Sequence, residues 1–274
     1  MTHDWSPAAV QDTQAESFAT IDGARIRYRL EGPAGAPFLV LSNSLGTNLE
    51  MWQPQMAALT KRFRVLRYDS RGHGLSEVTA GPYSVDRLAR DVVAMLDQLK
   101  IDRAHFCGLS MGGMAGMWLG VHAPQRMDKL VLCNTAPRIG SAERWNARID
   151  AVNKGGVAAV ADMLMDLWFT PRFRAAAADT VLRMRAMLVA TSAEGYVASC
   201  AAVRDMDQWA ALSKLDRPTL IVTGKHDAVT PPADGRRMAE VIPGARQVEL
   251  DAAHISNVEA EEAFTAEVLA FLDR

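Results

Sequence analysis

Gly108-Leu109-Ser110-Met111-Gly112 has the spacing G-x-S-x-G, a serine between two residues without side chains. Three fixed positions occur by chance in roughly one chain in ten of this length, so the surroundings must carry the reading. An apolar run at 104–109 precedes the serine, and a helix-compatible stretch at 111–122 follows it until Pro124. A strand turning sharply into a helix holds its serine on a strained elbow, and small neighbours let the backbone close up. A plain glycine-rich turn is the bland alternative. The chemistry implied is nucleophilic attack on a carbonyl, for which a hydroxyl needs a base.

That base is a histidine oriented by a carboxylate, and on a serine elbow the chain order is serine, acid, histidine. Of six histidines, His105, His122, His226 and His254 are candidates to lie near a sheet, whereas His3 sits in a polar start. His105 falls inside the serine's own strand and His122 ends the next helix, which suits structural roles. His254 follows the last strand in the loop opened by Asp251-Ala252-Ala253, where the base is required. Asp227 follows an apolar strand at 220–222 and precedes Pro231-Pro232, a helix start, so its carboxylate is expected at the same sheet edge. Asp216 and Asp251 are rival acids, one preceding its strand and the other ending one too early. The position after the sixth strand, another home for the acid, holds Asn134.

Ester chemistry also needs donors aimed at the developing oxyanion, and backbone N–H groups supply them with little reorganisation. Met111, directly after the serine, is one expected donor. The second is Leu45, in the loop Ser42-Asn43-Ser44-Leu45-Gly46 after the strand at 38–41. An ordinary polar loop is the alternative there. No G-x-x-x-x-G-K-[ST], H-E-x-x-H or G-x-G-x-x-G segment is present, so nucleotide, zinc-protease and dinucleotide readings lack a site and no cofactor is implied.

The elements that must position these groups follow from periodicity. Segments 17–21 and 24–31 flank Asp22-Gly23, a dipeptide suited to a tight hairpin. Short apolar runs at 38–41, 63–68, 104–109, 130–133, 220–222 and 247–250 then alternate with helical patterns. Leu88, Val92, Met95, Leu96 and Leu99 share one helix face, as do Phe264, Val268, Leu269 and Leu272. Such alternation means a mainly parallel sheet covered on both faces. It stops between about 138 and 213, where Ala and Met are frequent and Thr170-Pro171 reads as a helix start.

Composition narrows the classes. At 274 residues one large core is feasible, and 49% hydrophobic with 23% charged residues is ordinary for a globular protein. Thirty basic against thirty-two acidic side chains remove the electrostatic basis for nucleic-acid binding. No apolar run exceeds five residues, so no membrane span is expected. The polar start lacks a signal-peptide pattern, and Cys107, Cys133 and Cys200 suggest neither disulfides nor a metal site, so a cytoplasmic location is expected.

Tyr68-Asp69-Ser70-Arg71-Gly72-His73-Gly74-Leu75-Ser76 matches the D-x-R-G-x-G-x-S turn of α/β hydrolases, in which the aspartate and arginine brace loops. After its start the whole chain resembles that family. The resemblance implies an α/β-hydrolase fold: a mostly parallel sheet flanked by helices, with a helical lid inserted between strands six and seven. The core would comprise 1–137 and 214–274, with 1–16 frayed, and the lid 138–213. Within the family the chain is similar to the 3-oxoadipate enol-lactonases. The likeness rests on Leu41-Ser42-Asn43-Ser44-Leu45-Gly46-Thr47, Met51-Trp52, 63–76, Gly81-Pro82-Tyr83, 106–113 and Asn134-Thr135-Ala136. Most relatives have His-Gly where Asn43-Ser44 stand.

The likeness implies cofactor-free opening of a small anionic lactone, in the breakdown of aromatic compounds, by Ser110, Asp227 and His254. Another carboxylesterase, a carbon–carbon bond hydrolase or a non-catalytic receptor on the same fold are the rivals. Dehalogenase and epoxide-hydrolase chemistry is disfavoured, since both need a carboxylate where Ser110 stands. An anionic substrate in a partly desolvated site requires a cation, and arginine's fork suits a carboxylate. Arg138, just past the sixth strand, is the expected anchor, with Trp145 walling the pocket. Arg148 is a rival anchor, and pairing of Arg138 with Glu143 is the alternative role.

Overall fold

The computed structural model describes residues 16–273. His3 and nearly all of the segment expected to fray lie outside them; Glu16 is tied to Arg27 by hydrogen bonds of 2.5 and 2.7 Å. The chain opens with β1 (Ser17–Ile21) and β2 (Ala24–Glu31). Asp22 and Gly23 both take positive φ, 46° and 80°, so the strands meet in the expected tight hairpin.

Then follow β3 (Phe38–Ser42), α1 (Gln53–Leu59), β4 (Arg64–Tyr68), α2 (Val85–Gln98), β5 (Ala104–Leu109), α3 (Met111–His122) and β6 (Met127–Cys133). Five helices separate β6 from the next strand: α4 (Ala142–Gly155), α5 (Ala158–Trp168), α6 (Pro171–Ala176), α7 (Ala178–Val189) and α8 (Ala193–Arg204). The chain closes with β7 (Thr219–Gly224), α9 (Pro232–Val241), β8 (Arg246–Leu250), α10 (Ser256–Glu259) and α11 (Glu261–Leu272).

The eight strands form one sheet in the order β1-β2-β4-β3-β5-β6-β7-β8. Pairing is antiparallel for β1–β2 and β2–β4 and parallel from β4 onward. Every residue of β5 and β7 is buried, as expected of parallel strands covered on both faces. One side of α2 buries Leu88, Val92, Met95 and Leu96, and Ser84 caps the helix by accepting the Arg87 N–H. By contrast α3 is buried from Met111 through Gly120, because it packs against both α2 and the sheet. The bracing expected of the 69–76 turn is present: Arg71 holds Asp91 through two 2.8 Å contacts, and Asp69 accepts the Leu49 and Leu75 N–H groups.

All three cysteines are buried free thiols. Among the described residues no single helix is long and apolar enough to cross a membrane. Because parallel strands share one direction, β3, β5, β6, β7 and β8 deliver their following loops to a single sheet edge, where ligands of open α/β sheets bind.

Candidate active site

Ser110 joins β5 to α3 with φ 56° and ψ −113°, a left-handed conformation strained for a residue bearing a Cβ. The flanking glycines permit it. A Cβ on Gly108 would stand 2.3 Å from the Gly112 carbonyl oxygen, and one on Gly112 would stand 2.2 Å from that of Ser42. The elbow is fixed from β6 as well: Ser110 N–H donates to the Cys133 carbonyl at 2.9 Å, and Thr135 Oγ1 donates to the Ser110 carbonyl at 2.8 Å.

Across the sheet edge His254 Nδ1 lies 2.8 Å from Asp227 Oδ2, and both side chains are buried. Asp227 Oδ1 accepts the N–H groups of Val229 and Thr230, while Oδ2 also accepts Thr230 Oγ1 and Asn134 Nδ2. Burial works against its charge, but His254 and the donated hydrogen bonds outweigh it and hold this carboxyl below the usual carboxylate range. An acceptor at Oδ2 places the imidazole proton on Nδ1, leaving Nε2 as the basic nitrogen. The rival acids are elsewhere: Asp216 pairs with Arg217, and the exposed Asp251 pairs with Arg172 and His226. Of the remaining histidines, His105 packs edge-on against Phe63 and His122 lies over Trp118.

A cavity opens at this edge, with Ser110, His254, Ser44 and Leu45 at its base and Trp145, Arg148, Trp168 and Tyr196 contributed by α4, α5 and α8. Met111 is the first residue of α3, so its N–H has no intrahelical acceptor. The loop carrying Leu45 is held from three sides. Asn43 donates to the Tyr68 carbonyl at 2.7 Å and accepts from Trp52 Nε1 at 2.9 Å, while its own carbonyl accepts the Gly112 N–H at 3.0 Å. Gly46 N–H donates to Nε2 of the buried His73 at 3.0 Å, which requires a neutral ring whose Nδ1 faces the Arg71 carbonyl at 3.2 Å.

Trp145 lies where the pattern placed it, buried in the cavity wall with Nε1 donating to the Ile139 carbonyl. Arg138 does not. Its side chain is 58% exposed, 3.9 Å from Asp207, and outside the cavity. The reason is helix phase: α4 starts only after Ser141, so Trp145 turns inward, and Arg148, three residues on, shares that face. Arg148 is the cation that lines the cavity, its guanidinium 4.6 Å from the Trp145 ring centroid.

Three supporting residues have a place in the site that the sequence did not assign to them. Asn134 also donates to the Ala253 carbonyl at 3.1 Å. Glu259 accepts the Ala253 N–H at 2.9 Å and both the N–H and hydroxyl of Thr170. His73 stands inside the turn motif, but its contact with Gly46 spans 27 residues. No cluster of three or more metal-ligating side chains occurs among the described residues.

This fold and edge define a hydrolase scaffold, and comparison agrees. The α/β-hydrolase fold family matches residues 37–261, and the chain belongs to it. It is 41% identical to 3-oxoadipate enol-lactonase 2 of Acinetobacter baylyi over 255 residues, 93% of this chain and 96% of that one. The enol-lactonase from Burkholderia xenovorans LB400 superposes with a TM-score of 0.93 at 45% identity, over 94% of this chain and all of the other. A hydrolase from Pseudomonas aeruginosa PA01 gives 0.93 at 48% identity, over 96% and 100%. The resemblance read from the motifs is thereby borne out.

Proposed function

We propose that this protein opens 3-oxoadipate enol-lactone to 3-oxoadipate in the cytoplasmic breakdown of aromatic compounds, with Ser110, His254 and Asp227 as a catalytic triad. The observation that carries the reading is the buried His254–Asp227 pair sharing a cavity with an elbow serine and one arginine. The identity to named enol-lactonases supports the same substrate.

In this mechanism His254 Nε2 takes the Ser110 proton as Oγ attacks the lactone carbonyl, and Asp227 stabilises the imidazolium. The Leu45 and Met111 N–H groups receive the oxyanion; losing one such donor costs roughly a hundred- to thousandfold in turnover. Collapse expels the enol oxygen, which His254 protonates, and a water activated by the same nitrogen releases the acyl group as a carboxylate. Arg148, rather than Arg138, meets the carboxylate the substrate already carries, over the Trp145 face. Helices α4 to α8 act as the lid. The test is direct. Wild type should consume the enol-lactone, and Ser110→Ala and His254→Ala should be folded and inactive. Near-wild-type turnover in either variant would overturn the mechanism, and hydrolysis of simple esters alone would overturn the substrate.

A further inference from the structure

A second compartment adjoins the cavity above Ser110. It shares Trp145 and Arg148 with the inner cavity and adds Arg144 and Leu167 to the wall. Arg144 and Arg148 stand four residues apart, on the same side of α4. Like charges at that spacing repel, and a cation in the first turn of a helix opposes the helix dipole. Neighbouring lid arginines are neutralised locally: Arg174 by Asp166, Arg185 by Asp162 and Arg172 by Asp251. Among the described residues Arg144 and Arg148 have no carboxylate partner. Glu143, the nearest acid in sequence, is held by Ser141 and faces Arg138. The cavity mouth therefore gathers two guanidinium groups without a carboxylate, Arg148 meeting only the Tyr196 hydroxyl and the Trp145 ring, beside the first turn of a 14-residue helix, an arrangement that an entering anion stabilises.

We propose that this outer compartment is an anion-capture vestibule, in which Arg144 draws in a small carboxylate and passes it to Arg148. The inference rests on the lactonase reading for its substrate but not for its site. Ring opening adds water across the ester and releases a proton, so a monoanionic lactone leaves as a dianion. The vestibule thus acts on both entry and product retention. A field that favours ground state and transition state alike appears in KM rather than kcat, and it fades with salt.

The experiment compares wild type, Arg144→Gln, Arg144→Glu and Arg144→Lys on the enol-lactone and on neutral p-nitrophenyl acetate, from low salt to about 0.5 M, with calorimetric binding of adipate. Arg144→Gln should lower kcat/KM for the lactone about three- to tenfold at low salt, through KM. Adipate affinity should fall by a comparable factor, and the salt dependence of both should flatten. Arg144→Glu should lose more, and Arg144→Lys should retain most of the effect. Unchanged lactone KM and adipate affinity in Arg144→Gln would overturn the proposal, as would an equal loss on the neutral ester. If wild type leaves the enol-lactone intact, the substrate reading fails by itself, and adipate binding still decides the role of Arg144.

Discussion

Asn134 Nδ2 lies 3.0 Å from Asp227 Oδ2, across the ends of the adjacent strands β6 and β7. The same amide donates to the Ala253 carbonyl, and its Oδ1 accepts the Ser256 hydroxyl. One side chain therefore ties the acid to both sides of His254. Its backbone takes φ 42°, a region asparagine tolerates better than most residues.

Asn134→Ala should keep the fold and weaken the orientation of the acid. A hydrogen bond to a charged group contributes about 1.5–3 kcal/mol, so kcat should fall by roughly ten- to a hundredfold with KM little changed. Asn134→Asp would set a second carboxylate against Asp227, and like charges at that distance raise one pKa strongly. The acidic limb of the kcat/KM profile should then move to higher pH. An unmoved limb in Asn134→Asp would show that the two side chains do not share the site electrostatically.

In the proposed mechanism His73 is a positioning residue for the Leu45 loop, which it holds by accepting the Gly46 N–H. His73→Leu removes the acceptor inside a buried contact and should lower kcat by about tenfold or more while stability falls by about 1–3 kcal/mol. His73→Gln, which retains an acceptor oxygen, should recover part of kcat. If Gln and Leu variants lose turnover equally while remaining folded, the ring matters for packing rather than for holding Gly46.

The same imidazole sets a pH window for stability. Burial lowers its pKa to about 4, from an ordinary value near 6.5. The unfolded chain thus takes up a proton between about pH 6.5 and 4 that the folded chain refuses. Stability from this group is complete above about 6.5, declines as pH falls and levels out below about 4. The drop between pH 7 and 5 should be roughly 2 kcal/mol, and His73→Leu should abolish that share of the slope in urea unfolding. Asp227 acts in a lower window. Its depressed carboxyl stabilises the fold above the ordinary carboxylate range and ceases to do so as pH falls through its folded value.

Much of this was legible in the residues because it is local. Gly108 and Gly112 mark an elbow because close backbone approach excludes any Cβ there, and that requirement is written in the chain. The apolar runs announced a parallel sheet because strands such as β5 and β7 are buried on both faces. His254 and Asp227 could be paired because loops following parallel strands emerge at one edge. Contacts that depend on how distant loops meet left no such mark. The Gly46–His73 bond and the Glu259 bridge to Thr170 join segments 27 and 89 residues apart, with no spacing rule to connect them. Arg138 misled because side-chain direction depends on where α4 begins, and Ser141 sets that phase only after Arg138 has turned outward.

Glu259 joins the helical segment to the histidine loop. It receives the N–H and hydroxyl of Thr170 and the N–H of Ala253, next to His254. A parallel contact runs from the Ile255 N–H to the carbonyl of Trp168, a cavity residue. Glu259→Ala should leave three donors without their acceptor, cost about 1–3 kcal/mol in thermal stability and raise hydrogen exchange at both Thr170 and Ala253. Faster exchange at only one of them would mean the two segments are not coupled through this carboxylate.

In the proposed reaction Arg148 and Arg138 are the two candidates to meet the substrate's carboxylate. Arg148 lines the cavity above Trp145, whereas Arg138 is solvent-exposed beside Asp207. A carboxylate entering a partly desolvated cavity without a cation loses its hydration with nothing in return. Arg148→Met should therefore cost the carboxylate-bearing lactone about 2–4 kcal/mol in kcat/KM, and a neutral lactone of similar size much less. Arg138→Met should leave both unchanged, because an exposed pair at 3.9 Å contributes little. Kinetics of the two variants on the two substrates decide the matter. A loss confined to Arg138→Met would return the anchor to the position that chain order suggested, and an equal loss on both lactones in Arg148→Met would make that arginine a support for Trp145 rather than a reader of charge.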